Sequence, residues 1–307
     1  MLRPFPSLRF RRPRPVHRSA TPWAALAVLA ASLLGAAPAA SQDNPLWLRY
    51  PAISPDGQAI LFCAKGDIFK IPSSGGTAVP LTVGEAYDYS PVWSHDGRWI
   101  AFASDRSGNF DIYLMPAGGG EARRLTFHSA ADIPSGFTAD GRRILFASAR
   151  QDTAANVQFP MTGFPELYSV SVDGGEASLV LTQPAVAAVS NRAGDKILYH
   201  DAKGRENVWR KHHTSAVTRD IWVYDLKAKK NIQVTDNEGE DRNPVFDPNG
   251  DDFYFLSERG GTFNVYKSSL SRPASATAVT SFAKNPVRFL TRSDTGVLCF
   301  GYDGEIY

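Results

Sequence analysis

Residues 94–113 read SHDGRWIAFASDRSGNFDIY, and this stretch decides the fold. Asp96 followed by Gly97 signals a tight reversal, because glycine accepts positive φ and an aspartate side chain bonds nearby amides. The run Ile100 to Ala103 is short, apolar and aromatic, which is strand composition. A Gly-containing connection then leads to Asp111, Ile112 and Tyr113, an acid followed by an aliphatic and an aromatic residue. The stretch therefore reads turn, strand, turn, strand.

Working outward, the same order returns along the chain. The reversal recurs at Ser54 to Gly57 and Thr138 to Gly141, with looser forms at 191–195, 247–250 and 293–296. Strand runs follow at Ile60 to Cys63, Ile144 to Ala147, Ile197 to Tyr199, Phe253 to Leu256 and Val297 to Phe300. The acid-or-amide triplet recurs at Asp67, Glu166, Asp220, Asn264 and Glu305, which makes six copies. A third marker, an outer strand ending in Leu-Thr or Val-Thr, occurs at Thr82, Thr126, Thr182, Thr235 and Thr280, five copies.

Repeats of this length, each with about four short strands, predict an all-β, six-bladed β-propeller of four-stranded blades over residues 42–307. The chain stops inside the sixth triplet, so the last blade is expected to be incomplete. A β-sandwich is the alternative, and six ordered copies argue against it. Helical repeats are excluded by the Gly and Pro punctuation and by the lack of a 3.6-residue period.

Residues 1–41 have the three parts of a secretory signal peptide. Six arginines without an acid precede the apolar run Trp23 to Ala37, and small residues follow to Ser41. The apolar run is shorter than the roughly 20 residues a spanning helix needs. The expectation is an exported, periplasmic or secreted protein with no membrane segment after cleavage. The whole chain has 33 basic and 31 acidic residues, and without the leader's six arginines the net charge is −4. That mixed surface gives no electrostatic reason to expect nucleic acid.

Longer stretches carry a family resemblance: NPLWLRYPAISPDG (44–57), EAYDYSPVWSHDGRWIAFASDRSGNFDIY (85–113), RKHHTSAVTRDIW (210–222), GEDRNPVF (239–246) and NPVRFL (285–290). Residues 44–307 resemble the N-terminal propeller of bacterial tricorn protease homologues, whose repeats are of the TolB and WD kind. The resemblance implies a full-length serine peptidase with a second propeller, a PDZ-like domain and a peptidase domain that this chain lacks, and it allows a homo-oligomer. It implies that this portion gates or guides peptides and unfolded polypeptide without doing chemistry. A free-standing TolB-like protein-binding propeller is the alternative, and the propeller of a prolyl-peptidase-like enzyme a third.

Catalytic signatures are absent from the sequence: no Gly-x-Ser-x-Gly elbow, no His-Glu-x-x-His, no Cys-x-x-Cys and no phosphate loop. No cofactor or metal is expected. The densest polar group is Arg210, Lys211, His212 and His213, running to Arg219, in the fourth repeat where an insertion widens the spacing. Insertions in repeat proteins fall in surface loops, and an arginine there can hold a peptide carboxylate through two charge-assisted hydrogen bonds; a solvated loop is the competing reading. The resemblance implies a tandem arginine after the second repeat, but His128 to Ile133 occupies that place. Cys63 and Cys299 fall at matching places in the first and last repeats. Stacked sheets lie about 10 Å apart, beyond the ~7 Å Cα limit of a disulfide, so two buried free thiols are expected.

Overall fold

The computed structural model describes residues 46–150, 164–204, 207, 209–210, 214–248 and 250–307, so the leader lies outside the described residues. Among these there are 22 strands and no helix. The first repeat forms β1 (Arg49–Ile53), β2 (Ala59–Ala64), β3 (Asp67–Pro72) and β4 (Val79–Pro80). The second forms β5 (Asp88–Trp93), β6 (Trp99–Ser104), β7 (Asp111–Pro116) and β8 (Arg123–Arg124). The third forms β9 (Asp132–Phe137), β10 (Arg143–Ser148), β11 (Glu166–Ser171) and the 13-residue β12 (Ser178–Ser190). The fourth adds β13 (Lys196–Asp201), β14 (Ile221–Asp225) and β15 (Lys230–Gln233). The fifth forms β16 (Asp241–Phe246), β17 (Asp252–Ser257), β18 (Asn264–Ser269) and β19 (Arg272–Ala278), and the last β20 (Arg288–Arg292), β21 (Leu298–Tyr302) and β22 (Glu305–Ile306).

The strands pair antiparallel in chain order: the first, second and fifth repeats are four-stranded sheets, the third and fourth form one seven-stranded sheet, and the last has three strands. The third and fourth share β12, which pairs with β11 through Ser178 to Pro184 and with β13 from Ala185 onward.

The three sequence markers are hydrogen-bonding devices. In the reversals, the hydroxyls of Ser54, Ser94 and Thr138 donate to Asp56, Asp96 and Asp140 at 2.5–2.6 Å. The same hydroxyls accept the amides of Ala59, Trp99 and Arg143. The glycines there take positive φ, for example 68° at Gly97. The Leu-Thr marker exists for its hydroxyl: Thr82, Thr126, Thr235 and Thr280 accept the buried amides of Ile68, Ile112, Ile221 and Val265, each at 2.9 Å. Thr182 departs from this pattern. It is exposed, because β12 runs straight on into the next sheet and does not turn back over β11.

Consecutive repeats are tied at one recurring place. The amides of Asp88, Asp132, Ala185, Asp241 and Val287, at or just before each inner strand, donate to the carbonyls of Gly66, Phe110, Pro165, Arg219 and Phe263 in the preceding repeat at 2.7–2.9 Å. The amide of Leu48, at the same place before β1, donates to Gly304 of the last repeat at 2.9 Å. The segment before β1 is thus bonded to the turn between β21 and β22 at the place where consecutive repeats are bonded.

Apolar faces fill the space between the sheets. Leu61, Cys63 and Ile68 meet Ile100, Phe102 and Met115 of the second sheet, while Ile60 and Phe62 pack against Cys299 of the last. Both cysteines are buried and free. They face different layers, and burial pushes the Cys299 thiol up to about 12.

A buried ion pair recurs at the end where inner strands begin. Arg106, Arg150 and Arg259 reach Asp88, Asp132 and Asp241 at 3.0, 2.6 and 2.8 Å. Each guanidinium also lies over the aromatic residue of its repeat's triplet, Tyr113, Tyr168 or Tyr266, at 4.6–5.4 Å.

Candidate functional site

Among the described residues, the inner strands β1, β5, β9, β16 and β20 are each paired on one side only, and so is the second half of β12. Their open edges surround a cavity of about 520 Å³ to which all of them contribute. Each inner strand carries a β-bulge. In five of them the bulge holds a non-glycine residue at left-handed φ: Tyr50 (51°), Ser90 (55°), Ala187 (52°), Asn243 (51°) and Phe289 (57°). Pro134 takes the equivalent place in β9; its ring fixes φ near −65°, and the bulge there falls between Pro134 and Gly136. These six residues all line the cavity. Left-handed conformations cost a non-glycine residue roughly 1 kcal/mol or more and concentrate where a structure uses them.

One mouth of the cavity is aromatic and cationic. Trp209, from the connection between β13 and β14, lies between Arg49 of the first sheet at 5.2 Å and Arg288 of the last at 4.8 Å. Its ring meets Phe289 edge-on at 6.0 Å, and its carbonyl accepts from Arg288 Nη2 at 3.4 Å. The aromatic band continues from Phe289 to Tyr50 (4.6 Å), Tyr89 (5.3 Å) and Phe110 (4.8 Å). Beside it, Arg219 pairs with Glu240, and Arg242 lies 3.9 Å from the same carboxylate with its guanidinium 4.0 Å over Phe263. Burial pushes Arg242 down to about 10 and lowers Arg288 as well.

His200 completes this wall. Its Nδ1 accepts the main-chain amide of the left-handed Asn243 at 3.3 Å, so that nitrogen carries no proton. Burial first, then Arg219 and Arg242, holds its pKa well below the usual histidine value. The site therefore gathers four arginines against Glu240 and Glu258 at the mouth of a largely apolar cavity, with a neutral histidine in the wall. Such a mouth can attract and orient an anionic group, because partial desolvation strengthens charge-assisted hydrogen bonds.

Of the residues singled out by sequence, Arg210 is exposed, its amide bonded to the Asn207 carbonyl, while Lys211, His212 and His213 lie outside the described residues. Arg219 is buried and works on Glu240. His128, in the place of the tandem arginine, caps its own loop by accepting the Ala130 amide. Sequence reasoning missed Arg49, Trp209, Arg242 and Arg288. A signal was available: Tyr50-Pro51, Ser90-Pro91 and Asn243-Pro244 each stand three residues before a reversal, inside stretches already notable for their length. Among the described residues no group of three or more His, Cys, Asp or Glu could hold a metal ion.

Comparison with known proteins follows the same outline. The tricorn protease N-terminal beta propeller domain family matches residues 45–307. The crystal structure of the tricorn protease superposes with a TM-score of 0.71 at 22% identity, over 86% of this chain and 25% of that one. A TolB from Agrobacterium tumefaciens gives 0.58 at 18% identity, over 86% and 80%. An uncharacterized protein, Atu1656 of Agrobacterium fabrum (strain C58), is 39% identical over 59 residues, 18% of this chain and 20% of that relative. The chain thus spans about a quarter of the tricorn protease and a fifth of this relative.

Proposed function

The chain belongs to the tricorn protease N-terminal β-propeller family, and from that membership we propose that its sheets close as a six-bladed ring whose channel gates or guides unfolded polypeptide. The bond from Leu48 to Gly304, matching the five ties between consecutive sheets, supports the ring. The observation that carries the functional reading is the cavity itself, lined by every inner strand and rimmed by Arg49, Trp209, Arg242 and Arg288. Residues 42–307 would be the propeller and residues 1–41 a leader that directs export to the periplasm or beyond. In this reading the proteolytic chemistry belongs to a serine-peptidase domain elsewhere in the protein, which the propeller serves.

A peptide would present its C-terminal carboxylate to the cationic mouth. Arg210 is exposed in the same connection as Trp209, and Arg219 acts from behind the mouth by fixing Glu240; Lys211, His212 and His213 are offered as further peptide contacts from the sequence alone. Anisotropy of a fluorescent, unstructured 15-residue peptide tests this. The free carboxylate should bind roughly tenfold tighter than the C-terminal amide, the worth of one charge-assisted hydrogen bond. Arg288→Gln should remove the difference. No binding, or equal binding of both peptides, overturns the reading. The fold similarity to TolB supports the second reading, a free-standing protein-binding propeller; binding of folded partners but not of unstructured peptides would favour it.

A further inference from the structure

A polypeptide in the channel would lie along open strand edges, and an open edge is ordinarily a template for strand addition through main-chain hydrogen bonds. The inner strands depart from that condition in three ways. Pro51, Pro91, Pro134 and Pro244 place an imide where an edge amide would stand in four of the strands, and all four line the cavity. A strand without those donors cannot continue a ladder.

The bulges come second. A left-handed residue at Tyr50, Ser90, Ala187, Asn243 and Phe289 turns the peptide planes on either side, so five of the six inner edges are interrupted at one level. A bulge of this kind is a device by which natural sheets stop edge pairing. Third, some of the edge groups that survive are taken up internally. The Ile53 amide donates to the Thr291 hydroxyl at 3.3 Å, and that hydroxyl lies 3.3 Å from the Pro51 carbonyl it donates to. The Asn243 amide is taken by His200. The remaining wall is mostly apolar, with Val92, Val186, Val189, Val245 and Leu290.

Resting on the reading of the channel as a polypeptide passage, we propose that its wall is built against strand addition. A chain inside is held by side-chain contacts and by the charge at the mouth, without main-chain hydrogen bonds to the inner strands. The ligand class is therefore extended polypeptide of loose sequence preference, able to slide because no register of hydrogen bonds has to break at each step.

Main-chain N-methylation tests this on the unaltered protein. An unstructured 12-residue peptide is compared with a copy N-methylated at alternate residues, and photoreactive versions of both are mapped by mass spectrometry. The expected result is binding within about threefold for the two peptides, with cross-links on the inner strands around Tyr50, Ala187 and Phe289. Loss of affinity beyond about tenfold on methylation overturns the proposal, since each main-chain hydrogen bond contributes on the order of 0.5–1.5 kcal/mol, or about 2- to 10-fold. Cross-links away from the inner strands overturn it as well. Failure of the unmethylated peptide to bind instead overturns the passage reading on which it rests.

Discussion

The two faces of the molecule are made from the same repeats with opposite chemistry. On the face of the Asp-Gly reversals, Asp56, Asp96 and Asp140 have carboxyls held below the usual range, first by the hydroxyls of Ser54, Ser94 and Thr138. On the face of the cavity mouth, Asp67, Asp111, Asp220 and Asp241 are raised, first by burial. The reversals satisfy themselves within about five residues and stay in water. The mouth face joins residues far apart in sequence, such as Asp132 with Arg150 and Trp209 with Arg288, and draws charge into the protein to do so. One face holds each sheet's turn in shape, and the other sets how sheets meet around the cavity.

The largest effect should come from breaking a buried pair on the mouth face. Asp132→Ala leaves Arg150 without its carboxylate and should cost about 3 kcal/mol, lowering Tm by roughly 6–12 °C. The double variant Asp132→Leu with Arg150→Met should recover most of that loss, because an apolar replacement strands no charge. Denaturant unfolding measures both, and an effect as small as a reversal variant's would erase the contrast between the faces.

A smaller effect sharpens the comparison within the mouth face. Thr126→Val strips the buried Ile112 amide of its acceptor and should cost about 2 kcal/mol. The same change at exposed Thr182, where the strand runs on, should stay within about 0.5 kcal/mol. Equal losses would contradict the role given to the threonine hydroxyl.

The smallest effect lies on the reversal face and depends on pH. Asp96 is held at about 2, so its stabilisation is complete above the ordinary carboxylate value and fades as pH falls from about 4 to 2. The side chain is largely solvated, which limits its worth to about 0.5 kcal/mol at neutral pH. Asp96→Asn should lower Tm by about 1–2 °C at pH 7 and by nothing near pH 2. A gap that widens in acid would reverse the sign assigned to this group.

Legibility in the sequence divides along the same line. Ser94, Asp96 and Gly97 announce their turn because every partner lies within a few residues, and the triplets announce β3, β7, β11, β14, β18 and β22 by alternation. Thr126 was legible as a marker, but its purpose was not, since its partner amide is 14 residues away. The continuous β12 was not legible either: Leu181 and Thr182 look like the other endings, and only the path of the next sheet makes them different. At the mouth, Arg242 and Arg288 gain their character from Glu240 and from burial beneath neighbouring sheets. No local spacing encodes that. The prolines of the inner strands stood in plain view, yet their meaning depends on which strand edge faces the cavity.

Amide hydrogen exchange at the six ties between sheets tests the central claim most directly. Leu48, Asp88, Asp132, Ala185, Asp241 and Val287 make one equivalent bond each, at 2.7–2.9 Å. A closed ring around a channel predicts that the Leu48 amide is protected to the same degree as the other five, within about tenfold. Rapid exchange at Leu48 with slow exchange at the rest would mean that the first and last sheets part in solution, and would contradict the ring and the channel together.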